Sequence, residues 1–374
     1  MTTNEKIDLI KSIAKYGGEI VGEDELSAIL ESGEELYTYD GFEPSGQMHI
    51  AQGIIRAINT NKMIKAGFTF RMYVADWFGY LNNKMGGDME KIQTVGEYFI
   101  EIWKAAGMNL DKTEFLWASE AIESEGYWET VMKIAKNTTL NRILRTTEIM
   151  GRGERDGLTA ANIIYPCMQT TDIFKVMKCQ VTQLGMDQRK VNVFARTVGP
   201  ELGFWKPVVV SHGLLQGLGK PAPKNADAAT RAISMKMSKS KPDTAIFMTD
   251  TAKDIKRKIG QAYCPEGDIE DNPVLDYIRQ IIFEAHHLEG REDLLKDGFV
   301  VERPEKFGGN MTFNTYEEIV EAYKKGGDSL HPLDLKNAVV KYIDELVRPV
   351  REHFENDAKA KGLLEEVQSF QVTR

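Results

Sequence analysis

Cysteine is scarce. Only Cys167, Cys179 and Cys264 occur in 374 residues, at no spacing that suits a metal knuckle or a disulfide framework. That excludes a small, stapled secreted fold and leads us to expect a reducing compartment. A run of about 18 apolar residues is also missing, so no membrane span is expected. The opening stretch "MTTNEKIDLIKS" has no hydrophobic signal region and no arginine richness. The cytoplasm is therefore the expected location. Excess positive charge is absent too: 47 Lys and Arg stand against 56 Asp and Glu, a net charge of -9. The chain is not a general coat for nucleic acid, and any such contact must use local basic patches.

What is present is the composition of a folded globular chain, 42% hydrophobic and 28% charged. Its length exceeds one ordinary core, so two domains are expected. Residues 4 to 32 read as helical, with Ile7, Ile10, Ile13 and Ala14 forming one apolar stripe. "ELYTYDGF" reads as a strand, "HIAQGIIRAINTNKMIKAG" as a helix and "FTFRMYVADWF" as a second strand, which together make a βαβ unit. Alternation continues through a helix at about 88 to 107, the strand "EFLWAS", helical stretches to 175, "KCQVTQLGMDQ" and "KPVVVSH". The expected fold class is α/β with an open parallel sheet. Residues 216 to 235, rich in Gly, Ala, Pro, Asn and Lys, read as a loop, and beyond 251 the chain reads as mostly helical. A boundary near 245 would divide the chain into domains at 1–245 and 246–374.

Three stretches carry chemistry. In "YPCMQTTDIF", helical steps of four and three put Tyr165, Gln169 and Asp172 on one face among apolar neighbours. Such a face suits a small ligand with an amine and a hydroxyl; a polar network in a helix seam is the plainer reading. In "EPSGQMHIAQ" a glycine-containing turn delivers His49 to a helix start, where unpaired N–H groups favour anions. Ser45 as an ordinary capping residue, with His49 incidental, is the alternative. In "MKMSKSKPD" ammonium groups follow a Gly/Ala-rich loop and suit closure over a polyphosphate; a solvated lysine run is the alternative.

Taken together, these motifs resemble a known family. "HIAQ" at 49 to 52 looks like the HIGH signature of class I aminoacyl-tRNA synthetases, with Ala51 and Gln52 departing from it, and "KMSKS" at 236 to 240 matches their second signature. "YxxxQxxD" at 165 to 172 and "GMDQRK" at 185 to 190 resemble the tyrosyl-tRNA synthetases of archaea and the eukaryotic cytoplasm. "EKFGGNMTFNTYEE" and "HPLDLKNAV" resemble that family's anticodon-binding domain.

The resemblance implies a Rossmann-type catalytic domain followed by a mostly helical anticodon-binding domain. It implies that Tyr39 and Asp172 read the phenolic hydroxyl of L-tyrosine, that Tyr165, Gln169 and Gln188 hold its α-amine, and that Glu43 lies at the pocket mouth. It places ATP, with Mg²⁺, against Gly46, His49, Asp187, Met237, Ser238 and Lys239. Catalysis falls to His49, Gln52, Lys236 and Lys239. Arg145 and Arg189 correspond to positions that meet the acceptor stem of tRNA(Tyr), although a surface ion pair is the commoner fate of such arginines. Phe307 and Asp334 correspond to positions that meet the anticodon, with core packing and a helix cap as their plainer readings. A homodimer is expected from the family alone, with the apolar helices around 88 to 140 as candidate contacts. The implied activity is tyrosine–tRNA ligation. A tryptophan enzyme, a small-molecule nucleotidyltransferase and a non-catalytic synthetase-like RNA-binding protein are the competing readings.

Overall fold

The computed structural model describes residues 1–147, 157–225, 235, 237, 242–326 and 329–370. Its centre is a six-stranded sheet in the order β1-β6-β5-β2-β3-β4. The strands are β1 (Glu19–Val21), β2 (Tyr37–Phe42), β3 (Thr69–Val74), β4 (Thr113–Trp117), β5 (Val181–Gly185) and β6 (Val208–His212). All neighbours run parallel except β1, which pairs antiparallel with β6. The fold is α/β as expected, with helices on the sheet and a mostly helical C-terminal half.

The central strands are buried on both faces, which explains their near-continuous apolar runs such as "PVVVS" and "FRMYV". Chain order reverses between β5 and β2, since β3 and β4 follow β2 on one side while β5 and β6 lie on the other. In open α/β sheets a ligand crevice forms at the carboxyl ends of strands at such a reversal. Two helices converge there. One spans Ala160–Thr171 and begins with a reciprocal cap, in which Thr159 Oγ1 accepts from the Asn162 amide and Asn162 Oδ1 accepts from Thr159 N. It continues into a π-helical turn at Asp172–Val176. The other begins as a π-helical turn at Ala51–Ile55 and continues as α-helix over Arg56–Lys65. Wide turns of this kind gather at functional sites because they re-aim side chains.

The sequence expectation of one helical region over 4 to 32 needs correction. The chain forms a helix at Thr3–Ala14, then β1, then a short helix at Leu26–Leu30. Gly17 and Gly22, both at positive φ, let the chain reverse so that Glu19, Ile20 and Val21 pair with Ser211, Val210 and Val209. The C-terminal part also holds a small antiparallel pair, β7 (Phe299–Val301) with β8 (Met311–Phe313), inside a region that reads as mostly helical.

The apolar core runs without a break from Ile10 and Ile13 through Phe68, Phe70 and Trp103 to Leu346, Phe354 and Val367. The 25-residue helix Pro332–Asn356 and the following Ala358–Ser369 pack against Met89–Ala105. Tyr98 meets Phe354 at a ring-centroid distance of 5.4 Å, and Glu101 pairs with His353 at 2.8 Å. Among the described residues, no helix is long and apolar enough to cross a membrane.

Candidate active site

A cavity of about 470 Å³ opens at the carboxyl ends of β2, β5 and β6. Tyr39, Glu43, His49, Gln52, Tyr165, Gln169, Asp172, Asp187, Gln188 and Met237 all line it. Helical spacing thus brings Tyr165, Gln169 and Asp172 to one wall.

The deep end is built from aromatic rings and one carboxylate. Asp172 is fully buried, and its Oδ1 accepts from the hydroxyls of Tyr127 at 2.9 Å and Tyr73 at 3.1 Å. Its Oδ2 is buried without a hydrogen-bond partner among the described residues, as is the hydroxyl of Tyr39. Asp76 gives the measure of how unusual this is. It is equally buried, but its two oxygens accept from Trp77 N, Ser119 N, Ser119 Oγ and Gln93 Nε2 at 2.6 to 3.1 Å. Buried carboxylates are normally satisfied in this way. Burial pushes the Asp172 carboxyl up to about 8, against the two tyrosine hydroxyls, which pull it down. Phe78 closes the wall, its ring edge-on to Tyr165 at 4.6 Å. Tyr73 and Tyr127 escaped sequence reasoning. They lie 99 and 45 residues from Asp172 along the chain, and no motif links them.

The middle of the cavity is rich in acceptors. Tyr165 donates its hydroxyl to Glu43 Oε1 at 2.7 Å, and Glu43 also meets Asn82 and, at 3.3 Å, Lys84. Gln169 Nε2 donates to Gln188 Oε1 at 3.2 Å, and Gln188 Nε2 approaches Asp187 Oδ2 at 3.4 Å. This chain of amides joins the deep end to the outer one.

Below the outer end lies a second buried network. Asp40 on β2 forms an ion pair with Arg56 at 3.1 Å, and Arg56 Nη1 lies 2.8 Å from His212 Nδ1. Gln183 Nε2 approaches the same nitrogen at 2.8 Å. Burial raises the Asp40 carboxyl to about 6, with Arg56 opposing the rise. Burial, and then the neighbouring Arg56 charge, push the His212 imidazole down, so the ring is neutral. Sequence reasoning singled out none of these four residues.

His49 enters the cavity from a short antiparallel bridge to Phe247, next to the Ile50 amide, which donates to Ile246 O at 2.8 Å. The backbone oxygen of Gln52 accepts from Trp103 Nε1 at 3.0 Å, which fixes the π-helical turn, while Gln52 Oε1 is buried without a partner among the described residues. Gly46 turns the chain before His49 at φ 100°, a conformation that L side chains rarely adopt; it does not itself line the cavity. Met237 is the one described residue of "KMSKS"; Lys236, Ser238 and Lys239 lie outside the described residues.

The remaining candidates sit elsewhere. Arg145 is exposed on the helix Leu140–Thr146. Arg189 follows the cavity residues Asp187 and Gln188 and pairs with Glu19 of β1. Phe307 is 55% exposed. Asp334, in the first turn of Pro332–Asn356, meets Arg303 Nε at 3.4 Å. Arg303 also donates to the backbone oxygen of Phe307, so one guanidinium ties these two candidates together. That link was not visible in the sequence.

Residues 31–348 match the family model of the class I tRNA synthetases of the W and Y type. The chain is 47% identical over 367 residues to "Tyrosine--tRNA ligase 1, cytoplasmic" of Arabidopsis thaliana, an alignment covering 97% of this chain and 89% of that protein. It is 41% identical to the tyrosine–tRNA ligase of Thermococcus sibiricus across the whole of both chains. Among solved structures it is similar to the tyrosyl-tRNA synthetase from Pyrococcus horikoshii complexed with L-tyrosine. The TM-score is 0.88 at 37% identity, covering 99% of this chain and 100% of that one. A parallel sheet with its crevice at the order reversal, a cavity walled by Tyr165, Gln169 and Asp172, and relatives of this identity and coverage agree: the chain belongs to the class I tRNA synthetases, in the group that holds the tryptophan and tyrosine enzymes.

Proposed function

We infer that this protein is a tyrosine–tRNA ligase. It activates L-tyrosine with ATP to give tyrosyl-adenylate and pyrophosphate, and it then transfers the tyrosyl group to the 3′ end of tRNA(Tyr). One observation carries the choice of amino acid. At the buried end of an aromatic slot, Asp172 Oδ2 and the Tyr39 hydroxyl lack partners among the described residues; the carboxyl, which keeps its proton below about 8 until a ligand arrives, and the hydroxyl can each donate or accept. A phenol fills both needs. A phenylalanine ring leaves both unmet in a dry site, and tyrosine enzymes are the standard instance of the rejection that follows. An indole has no hydroxyl to place there, so the tryptophan reading is the weaker one.

The α-ammonium lies among the acceptors of Tyr165, Gln169 and Gln188, with Glu43 behind Tyr165. The tyrosine carboxylate then attacks the α-phosphorus, and pyrophosphate leaves. This step needs positioning and donors for the charge that moves onto the pyrophosphate. His49 supplies a donor from the bridge to Phe247 and Gln52 one from the π-helical turn, Lys236 and Lys239 supply cations from the signature stretch, and Asp187 with Gly46, Met237 and Ser238 completes the nucleotide subsite. Mg²⁺ enters with ATP, on its phosphates.

Arg145 and Arg189 meet the acceptor stem, and Phe307 and Asp334 meet the anticodon, with Phe307 offering an exposed ring for stacking. This assigns residues 1–245 to catalysis and 246–374 to anticodon reading. A homodimer in the cytoplasm completes the reading. Trp128 and Met132, 46% and 60% exposed one helical turn apart, and Leu140 at 55% offer an apolar face to a second copy. Amino-acid-dependent ATP–pyrophosphate exchange tests the central claim. Exchange with tyrosine, and none with phenylalanine or tryptophan, is expected. Exchange with tryptophan, or none with any of the three in a folded protein that binds tRNA, would sink it.

A further inference from the structure

The segment that leaves β6 forms one wall of the cavity, and it is held from the helical C-terminal part. Gly213, Leu214 and Leu215 line the cavity directly after His212. The next three residues are pinned by their backbones. Gln216 N donates to Asp276 Oδ2 at 2.9 Å, Gly217 N to Met235 O at 2.7 Å and Leu218 N to Thr244 O at 2.9 Å. Leu218 O accepts in turn from Tyr263 N at 2.9 Å. Of these four partners only Asp276 uses a side chain, so it is the one that a substitution can remove.

Asp276 is 2% exposed and sits in the helix Pro273–Tyr277, which Asn272 caps. Its Oδ1 accepts from Arg279 Nε at 2.8 Å and Gln280 Nε2 at 2.7 Å, three and four residues on. Those local contacts account for one oxygen. The other reaches 60 residues back along the chain to a backbone N–H, and such bonds to a carboxylate are stronger than those between neutral groups. Arg279 extends the anchor. Its guanidinium lies 5.2 Å from the ring centroid of Tyr16, and the Tyr16 carbonyl presses on the start of the wall: a Cβ on Gly213 would stand 1.8 Å from Tyr16 O. The wall is therefore gripped at Gly213 by Tyr16 and at Gln216 by Asp276. Between the grips, Leu214 stands on the Asp187 side of the cavity, since a Cβ on Gly185 would meet Leu214 Cδ2 at 3.2 Å and Asp187 Oδ1 at 2.4 Å.

We propose that Asp276 is a positioning residue for the outer, nucleotide end of the cavity. It fixes the register of residues 213 to 218, and with it the places of Leu214, Leu215 and the paired Met235. A residue from the part assigned to anticodon reading thus serves amino-acid activation. The proposal rests on ATP being the nucleotide substrate. A carboxylate that only stabilises its own helix is the rival account, and it predicts less folded protein with unchanged substrate binding in what remains.

Tyrosine-dependent ATP–pyrophosphate exchange is run on wild type, Asp276→Ala and Gln280→Met, with active sites counted by titration. Asp276→Ala cuts the bond to Gln216. Gln280→Met takes one donor from Oδ1 and leaves that bond in place. Asp276→Ala should raise KM for ATP about tenfold and hold KM for tyrosine within about twofold. Gln280→Met should move neither KM, although both variants should lose some Tm. An unchanged KM for ATP in Asp276→Ala, or equal rises for both substrates, would reduce Asp276 to a helix-stabilising residue. The same rise in KM for ATP with Gln280→Met would trace the effect to a loosened helix. Each of these outcomes overturns the proposal. No tyrosine-dependent exchange in wild type would instead sink the activity reading, and the next measurement would then decide.

A measurement on the unaltered protein covers a variant that fails to fold. Backbone hydrogen exchange should find the amides of Gln216, Gly217 and Leu218 protected in the ligand-free protein, because the anchor is set before any nucleotide arrives. Unprotected rates at these amides, or protection that appears only on adding ATP, would mean that Asp276 does not set the wall, and the proposal would fall.

Discussion

The two ends of the cavity each bury an aspartate, and they treat it in opposite ways. At the deep end, Asp172 is held by the neutral hydroxyls of Tyr73 and Tyr127 and keeps one oxygen bare. At the outer end, Asp40 faces the guanidinium of Arg56 and turns no charge toward the ligand. What that network offers outward is the neutral imidazole of His212. The first aspartate recognises by an unmet need, which a phenol meets. The second is framework: its charge is cancelled by a partner inside the fold. The carboxyls shift accordingly, to about 8 at the bare site and about 6 beside the guanidinium. A bare buried carboxylate signals a ligand contact more strongly than a paired one, because nothing within the fold accounts for it.

Four changes test this contrast. Arg56→Met strands the Asp40 carboxylate, and removing one partner of a buried pair costs about 3–5 kcal/mol. Urea unfolding should show that loss, and Arg56→Met combined with Asp40→Asn should recover most of it. If the double variant is no better than the single one, the outer aspartate is not the framework charge described here. Asp172→Asn should act on chemistry instead. Its amide offers a donor where the phenol brings a proton, so kcat/KM for tyrosine should fall about 10²-fold while KM for ATP holds. Parallel losses in both substrates would erase the distinction between the ends.

Gln52→Ala should have a smaller effect. It should slow adenylate formation by about tenfold, with little change in tyrosine affinity, as single-turnover and equilibrium binding measurements would separate. The last test is of pH-dependent stability. The Asp172 carboxyl is raised in the folded state from its ordinary 3.8 to about 8. The folded protein therefore binds the proton more tightly than the unfolded chain does. Its contribution is complete below about 3.8 and is lost as pH rises toward 8. Ligand-free wild type should thus lose several degrees of Tm between pH 6 and 9, since one proton carries about 1.4 kcal/mol per pH unit up to the folded-state value of about 8. Asp172→Asn should flatten that slope, and an unchanged slope would place the titration elsewhere.

The deep end was the more legible part of the site. Tyr165, Gln169 and Asp172 share one helix, so the helical period of 3.6 by itself places them on one wall. Tyr39 came only through family resemblance. Tyr73 and Tyr127 arrive from β3 and from the helix Tyr127–Lys136, and only the fold brings them to Asp172. The outer network has the same character, since Asp40, Arg56, Gln183 and His212 come from three strands and one helix. Local pattern cannot join such positions. The parallel strands were legible because burial on both faces writes long apolar runs. The strand β1 was not, because three residues of a polar stretch carry no period. The pair β7 and β8, though apolar, failed to show because three-residue strands are too short to set up a period.

Gly185 has a meaning for inheritance. Its backbone is not in the left-handed region that glycine alone favours, so any residue can take the strand conformation there. What it permits is close approach: a Cβ there would stand 2.4 Å from Asp187 Oδ1, 3.2 Å from Leu214 Cδ2 and 3.4 Å from His212 Nε2. Every replacement reachable by one base change would put a carbon against the Asp187 carboxylate, which would then have to shift. Such replacements would reach the nucleotide subsite proposed for Asp187 from a position that does not itself line the cavity. A search confined to the residues that line the cavity would pass over a lesion of this kind.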